Sequence, residues 1–167
     1  SNLKNTGTIA SYGSNTDCRF FTGGIIGYCW KVGELSNCVN GVEGDATKGK
    51  IIIKGTVGTT IANDATVYYP CIGGVVGNFY PNGGAYLLKG CTNYGPISFG
   101  FTTSGNQNYN LGGVAGYAQS AASENCHNYG AIDCSELNNV GHKQLLIGGV
   151  IGYSTKASNG CSNSGAI

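Results

Sequence analysis

The chain has 167 residues, of which 41% are hydrophobic and 10% are charged, with 30 glycines, three prolines and no methionine. This length allows one domain with a buried core, the composition excludes an intrinsically disordered chain, and glycines without a three-residue period exclude collagen. The formal net charge of +1 and the lack of 18 consecutive apolar residues argue against nucleic acid as a partner and against membrane insertion.

Two short motifs recur along the chain and divide it into tandem units. Residues 1–10 form half a unit, and four units follow at approximately 11–44, 71–100, 101–137 and 138–167. In each unit, a glycine motif is followed 13 to 18 residues later by a cysteine motif. The glycine motifs read GGIIGY, GGVVGN, GGVAGY and GGVIGY and begin at Gly23, Gly73, Gly112 and Gly148, and the cysteine motifs begin at Cys38, Cys91, Cys126 and Cys161.

The two ends of the chain fit the same register. LKNTGTI, from Leu3, is the second half of a unit, with leucine at the cysteine position. The first ten residues contain neither the charged nor the apolar region of a signal peptide, and they do not begin with methionine. We therefore expect the chain to be a segment of a longer precursor.

Residues 45–70 form an insertion between the first two complete units. The cysteine motifs on either side start 53 residues apart, whereas the other copies start 35 residues apart. The insertion contains KGKIIIKGTVGTTI, and its alternating residues predict an extra hairpin or a pair of short strands. The motif before it reads CVNGVEG where CxNxGxI is expected, so we expect the insertion to begin by distorting that turn.

Strand periodicity separates recurring positions from variable ones in CHNYGAI, the third complete cysteine motif. Alternate residues of an extended strand point to opposite faces. The recurring face predicts a packed interior, and the variable face predicts a surface exposed to solvent. Constant spacing of strand and turn predicts an all-β parallel β-solenoid, or β-helix, of about four coils of about 35 residues, each with two or three strands. The recurring residues are Cys126, Asn128, Gly130 and Ile132, and the variable ones are His127, Tyr129 and Ala131.

Each type of recurring residue permits two interpretations. The asparagines either stack one per coil through amide hydrogen bonds or form left-handed turns. The glycines either provide positive φ at corners or allow adjacent coils to approach closely. The cysteines are either small buried side chains or, since the chain has eight, members of a disulfide framework. The recurring asparagines are Asn5, Asn40, Asn93, Asn128 and Asn163.

The combination GGVIGY…CSNSGAI resembles the Gly-rich GLUG-type repeat. Such repeats occur in large bacterial surface proteins, especially adhesin-like proteins of gut Bacteroidetes, and beside the metalloprotease domains of some IgA-cleaving enzymes. The resemblance covers four units and implies an extracellular β-helix-like spacer or adhesive region without catalytic residues. The insertion and CVNGVEG depart from the family pattern.

No catalytic, cofactor-binding or metal-binding residue is predicted. GGxxG lacks the spacing of nucleotide-binding loops, and no Walker lysine follows it. A cluster that contains two glutamates is the strongest catalytic candidate, but its histidine lies on the variable face and is interpreted as solvated. A second cluster within 17 residues matches no zinc spacing, and no calcium-binding nonapeptide is present. The first cluster comprises Glu124, His127, Asp133 and Glu136, and the second comprises Cys126, His127, Cys134 and His142.

Aromatic side chains give the stronger functional signal, since the chain has eleven tyrosines, five phenylalanines and one tryptophan. Tyr28, Tyr117 and Tyr153 follow the glycine motif in register and predict a stacked row. Tyr94 and Tyr129 lie on the predicted outer face, where a tyrosine can stack on a sugar or anchor a protein. The alternative is that these rings only cover the surface of the coils.

These observations predict a non-enzymatic structural or adhesive repeat module at the bacterial cell surface: a stalk, an adhesin or a filament-forming unit. The expected partners are neighbouring coils of a longer chain or head-to-tail copies of this one, together with a host glycan or protein. The alternative function is a carbohydrate-binding or carbohydrate-cleaving β-helix. No cofactor is expected.

Overall fold

The computed structural model describes residues 1–15, 21–58, 70–80, 86–104, 108–139 and 144–167. In these residues the regular secondary structure is β-strand, and the chain passes through five parallel sheets, always in the same order. The predicted parallel β-solenoid is therefore confirmed. No helix in the described ranges is long and apolar enough to cross a membrane.

Each coil contributes one strand to each sheet, except that the coil of β17 and β18 contributes two to sheet II, and the sheets are numbered here in the order in which the chain visits them. Sheet I contains β1 (Lys4–Asn5), β6 (Val39–Asn40), β11 (Thr92–Asn93), β16 (His127–Asn128) and β22 (Ser162–Asn163). Sheet II contains β2 (Ile9–Asn15), β7 (Ile51–Gly58), β12 (Ile97–Ser104), β17 (Ile132–Asp133) and β18 (Asn138–Asn139). Sheet III contains β3 (Phe21–Gly23), β8 (Cys71–Gly73), β13 (Asn108–Gly112) and β19 (Gln144–Gly148). Sheet IV contains β4 (Ile26–Trp30), β9 (Val76–Tyr80), β14 (Ala115–Ala118) and β20 (Ile151–Ser154). Sheet V contains β5 (Glu34–Ser36), β10 (Tyr86–Lys89), β15 (Ala121–Glu124) and β21 (Ser158–Asn159).

A coil therefore has five strand positions, instead of the two or three strands that were predicted. The strands range from two to eight residues, and those of sheet I have only two residues. The sheet I strands lie inside the cysteine motif, whose alternation is visible in the sequence, but two residues are too few to mark the bounds of each strand. Neighbouring strands of sheet I all pair in parallel and in register.

The interior contains two separate hydrophobic clusters. The larger includes Phe79 and Leu88 and is enclosed by sheets IV and V. The first cysteines of the cysteine motifs, called here the cysteine row, also belong to it: Cys38, Cys91 and Cys126. The smaller lies between sheets II and III and includes Ile51, Phe99 and Leu111. The five aromatic and aliphatic side chains are buried to within 1% of complete exclusion from solvent. Because burial of each large apolar side chain contributes about 1.5–3 kcal/mol, both clusters stabilise the stack.

The structure corrects the prediction that residues 45–70 are an inserted hairpin-like segment. Strand β7 pairs in parallel with β2 on one side and with β12 on the other. Ile51 and Ile53 are buried in the smaller cluster, so IIIKGTVG supplies the sheet II strand of its coil. The error arose because Ile97–Ser104, the equivalent strand, has a different sequence and reveals no repeat. Residues 59–69 of the predicted insertion lie outside the described residues.

One group of additional residues forms the turn 41–49. Asn40 is in register with Asn93, and Ile51 is in register with Ile97. The segment from Asn40 to Ile51 is seven residues longer than the equivalent segment from Asn93 to Ile97. Asp45 Oδ1 accepts a hydrogen bond from the Thr47 backbone N–H at 2.9 Å. Because Asn40 itself remains in register, the irregular CVNGVEG departs from the pattern only after its asparagine.

Candidate functional site

The five recurring asparagines form a continuous ladder along the solenoid. Asn5 Nδ2 donates to Asn40 Oδ1 at 2.8 Å, and Asn40 Nδ2 donates to Asn93 Oδ1 at 2.8 Å. Asn93 then donates to Asn128 at 2.8 Å, and Asn128 donates to Asn163 at 2.7 Å. Every amide donates toward the coil that follows it, so the ladder has one direction.

The same asparagines also stabilise the turn from sheet I to sheet II. The second hydrogen of Asn93 Nδ2 binds the Gly95 carbonyl at 2.9 Å, and that of Asn128 binds the Gly130 carbonyl at 2.9 Å. Asn40 makes the equivalent bond to the more distant Gly49, at 2.7 Å. The two interpretations of the asparagines, ladder and turn, are therefore both correct. Because Asn40, Asn93 and Asn128 are fully buried, these bonds satisfy groups that would otherwise be costly to bury.

The second glycine of each GGxxG motif lies against this ladder. A Cβ atom at Gly74 would overlap Asn93 Cγ, and one at Gly113 would overlap Asn128 Cγ. The glycine pair and the asparagine meet between the two hydrophobic clusters. This contact explains why both motifs occur in every unit although they are separate in the sequence.

The last glycine of GGxxG serves a different contact. A Cβ atom at Gly77 would lie 2.7 Å from the Thr22 N and 2.6 Å from the Gly27 carbonyl oxygen. At this position, sheet IV packs against the backbone of sheet III. No glycine of the four GGxxG motifs has positive φ, so close approach of backbone is the correct interpretation here.

Positive φ occurs instead at the residue before the cysteine of each cysteine motif. This position holds Asn37, Gly90, Asn125 and Gly160 in successive coils, with φ between 50° and 62°. Asparagine and glycine are the residues that adopt this conformation at least cost. At Gly90 glycine is also favoured sterically, because a Cβ atom there would overlap Asn37 Oδ1.

The seven cysteines that the structure describes are free thiols. Cys38, Cys91 and Cys126 are fully buried, as the packing interpretation requires. The Cys126 thiol donates to the Leu88 carbonyl of the preceding coil at 3.4 Å. Burial raises the pKa of Cys71 to about 12, so this thiol stays protonated at neutral pH and is a poor nucleophile.

The predicted inner and outer faces of CHNYGAI are confirmed. All four recurring residues are buried, whereas the variable ones are half-buried or exposed. The buried residues are Cys126, Asn128, Gly130 and Ile132, the half-buried one is His127, and the exposed ones are Tyr129 and Ala131.

The predicted row of tyrosines after the glycine motif forms only in part. Tyr117 and Tyr153 stack with ring centroids 5.0 Å apart and an angle of 9° between their planes. Asn78 occupies the same position in the coil before and interrupts the row. Tyr28 stacks on Phe21 of sheet III instead. The sequence showed the interruption, since GGVVGN ends in asparagine, but not the alternative partner of Tyr28.

The outer pair, Tyr94 and Tyr129, is brought together by the ladder. Both residues follow a ladder asparagine, and their rings stack with centroids 5.1 Å apart and planes 12° apart. Tyr129 remains 46% exposed. His127 lies beside it, with ring centroids 6.2 Å apart, and its Nδ1 is 2.8 Å from Ser162 Oγ.

The acidic residues of the first cluster, which was weighed as a catalytic candidate and not predicted as a site, make different hydrogen bonds and ion pairs. Glu136 contacts Lys54 at 2.8 Å, and Glu124 lies 3.7 Å from Lys89 in sheet V. Asp133 accepts a hydrogen bond from the Ser135 N–H at 2.9 Å, and the bonds from Ser135 lower the pKa of this carboxyl group. Glu124 and Glu136 therefore pair with different lysines, and the charge of Lys54 also acts on Asp133.

The second predicted cluster gains no support as a metal site. Cys126 is buried in the cysteine row and Cys134 is half-buried beside the smaller cluster. His142 lies outside the described residues. Across the described part of the chain, no three His, Cys, Asp or Glu side chains lie close enough to hold a metal ion.

No family model, curated protein or solved structure matches the chain.

Proposed function

We propose that the chain is a non-enzymatic structural or adhesive module of an extracellular bacterial surface protein. The observation that carries this proposal is the asparagine ladder. In the three inner coils, the residues that recur from unit to unit are buried and join one coil to the next. The recurring residues thus maintain the stacking of the coils, whereas the residues of the outer face vary from unit to unit. The resemblance to GLUG-type repeats supports a location at the cell surface.

The separation of the carboxylates supports the non-enzymatic part of the proposal. Cleavage of a glycosidic bond requires two carboxyl groups on either side of it, one of them with a raised pKa. In the described coils, Glu124 and Glu136 are instead engaged with different lysines.

A single-molecule pulling experiment tests the structural role. The chain is held by handles at both ends, and force is applied along the solenoid. Because neighbouring coils are joined by parallel ladders and by the amide ladder, we expect release in steps of one coil, about 35 residues each. Unfolding in one cooperative event, at a force no higher than that of a non-repeat β-domain, would contradict the structural role. In a separate assay, release of sugars from a panel of polysaccharides would contradict the proposal that the chain is not an enzyme.

Head-to-tail association is the partner that we propose for the end coils. Asn163 Nδ2 donates to the Gly165 carbonyl at 2.9 Å, and no further ladder asparagine follows it within the described residues. Asn5 Oδ1 of a second copy, or of a further coil, would accept its other hydrogen. Edge strands that present unpaired backbone groups favour such an association.

Carbohydrate binding is the second candidate function. The stacked and partly exposed Tyr94–Tyr129 pair favours it, because the faces of aromatic rings pack against the C–H groups of sugars.

A further inference from the structure

We propose that a sugar ring stacks on the free face of Tyr129, with His127 and Ser162 beside it as hydrogen-bonding groups. This inference rests on the proposed adhesive function and names the class of ligand. It begins from one row of residues on the outer face. Because the five ladder asparagines are in register, the residues that follow them lie in one line, and that line reads Thr6, Gly41, Tyr94, Tyr129 and Ser164.

One face of the Tyr129 ring is available to a ligand. Tyr94 covers the opposite face, since the two planes are only 12° apart. The ring nevertheless keeps 46% of its surface exposed. The next residue in the row is Ser164, which is itself exposed and has a side chain too short to cover a phenol ring. The exposed area is therefore the face toward Ser164 and the ring edge.

Hydrogen-bonding groups lie beside this face. His127 is inclined at 39° to the Tyr129 ring, and its Nδ1 is held by Ser162 Oγ at 2.8 Å. This contact fixes the imidazole and leaves Nε2 as its second polar atom. An imidazole nitrogen and serine hydroxyls can both donate and accept, as sugar hydroxyl groups require.

Charge favours a sugar over a nucleic-acid base, which could also stack on tyrosine. The formal net charge is +1, too small to attract a phosphate backbone. Burial and the nearby Glu43 carboxylate raise the pKa of Tyr94, so a negative charge lies near this ring and would repel a phosphate bound there. Two rings also provide far less area than the roughly 800 Å² per partner of a stable protein interface.

The test measures binding of the intact chain to a panel of neutral oligosaccharides (β-glucans, xylans, mannans and galactans) and to an oligothymidine, by calorimetry. We expect saturable binding to at least one oligosaccharide. Tyr129→Ala should weaken it by about tenfold or more, whereas Tyr129→Phe should retain most of it. Tyr12→Ala is the matched control, because Tyr12 is 67% exposed but lies in sheet II.

A second variant keeps the test decisive if Tyr129→Ala disturbs the fold. Ser164→Arg would place a guanidinium group over the free face and should abolish binding while Tyr129 remains. The proposal is overturned if no oligosaccharide binds at millimolar concentration or if only the oligothymidine binds. It is also overturned if Tyr129→Ala and Ser164→Arg both bind the sugar as the wild type does. None of these variants changes the asparagine ladder. If the chain unfolds coil by coil in the pulling experiment but binds no sugar, the sugar site is overturned and the structural role is not.

Discussion

The amide group of Asn93 is the clearest example of one side chain with several structural roles. It accepts from Asn40, donates to Asn128 and donates to the Gly95 carbonyl, all at 2.8–2.9 Å and fully buried. A buried polar group without a partner costs about 1–3 kcal/mol. The loss of Asn93 leaves several such groups, so its effect should exceed that of one hydrogen bond.

We expect Asn93→Ala to lower the free energy of unfolding by about 2–4 kcal/mol, because neighbouring amides lose their donor or acceptor. Urea unfolding followed by circular dichroism measures this change. Asn138→Ala, at an exposed position, is the control and should change stability by no more than about 0.5 kcal/mol. Equal effects of the two substitutions would show that the ladder adds no stability.

At the scale of elements, the sequence predicted the recurring faces but not the number of strands or the packing of sheets. Alternation in CHNYGAI was sufficient to separate the inner face from the outer one. The contact between the glycine pair and the ladder was not predictable, because Gly113 and Asn128 are 15 residues apart in sequence. Their recurrence together in every unit was the available signal. The outer location of Tyr94 and Tyr129 was predicted, but their stacking was not, and the partner of Tyr28 depended on how sheets III and IV face each other.

The glycine pair provides the prediction at this scale. Gly113→Ala should destabilise the chain by about 3 kcal/mol or more, or prevent folding, because the new methyl group would overlap the Gly149 carbonyl oxygen and the Asn128 amide. Thermal unfolding measures the effect. Gly33→Ala is the matched control, since nothing lies within 4 Å of its Cβ position, and it should be neutral or slightly stabilising. A stable Gly113→Ala protein would disprove the steric role.

At the scale of the whole molecule, the parallel sheets and the ladder define a stack with two different ends. If head-to-tail association occurs, the weight-average mass in sedimentation should rise with concentration. Asn163→Asp should suppress this rise, because a carboxylate still accepts from Asn128 but cannot donate to the next copy. Asn138→Asp adds the same charge away from the ladder and serves as the control. A chain that stays monomeric at millimolar concentration would contradict the association.

The ladder also has a consequence for how a gene of this kind can change in length. Each inner asparagine needs only one amide from the coil before it and one from the coil after it. Duplication or loss of a whole unit by recombination would therefore recreate every contact at the junction. Duplication of a fraction of a unit would place a different residue opposite the amide and leave it without a partner. The length of the solenoid can thus change by whole coils during evolution while its cross-section stays the same.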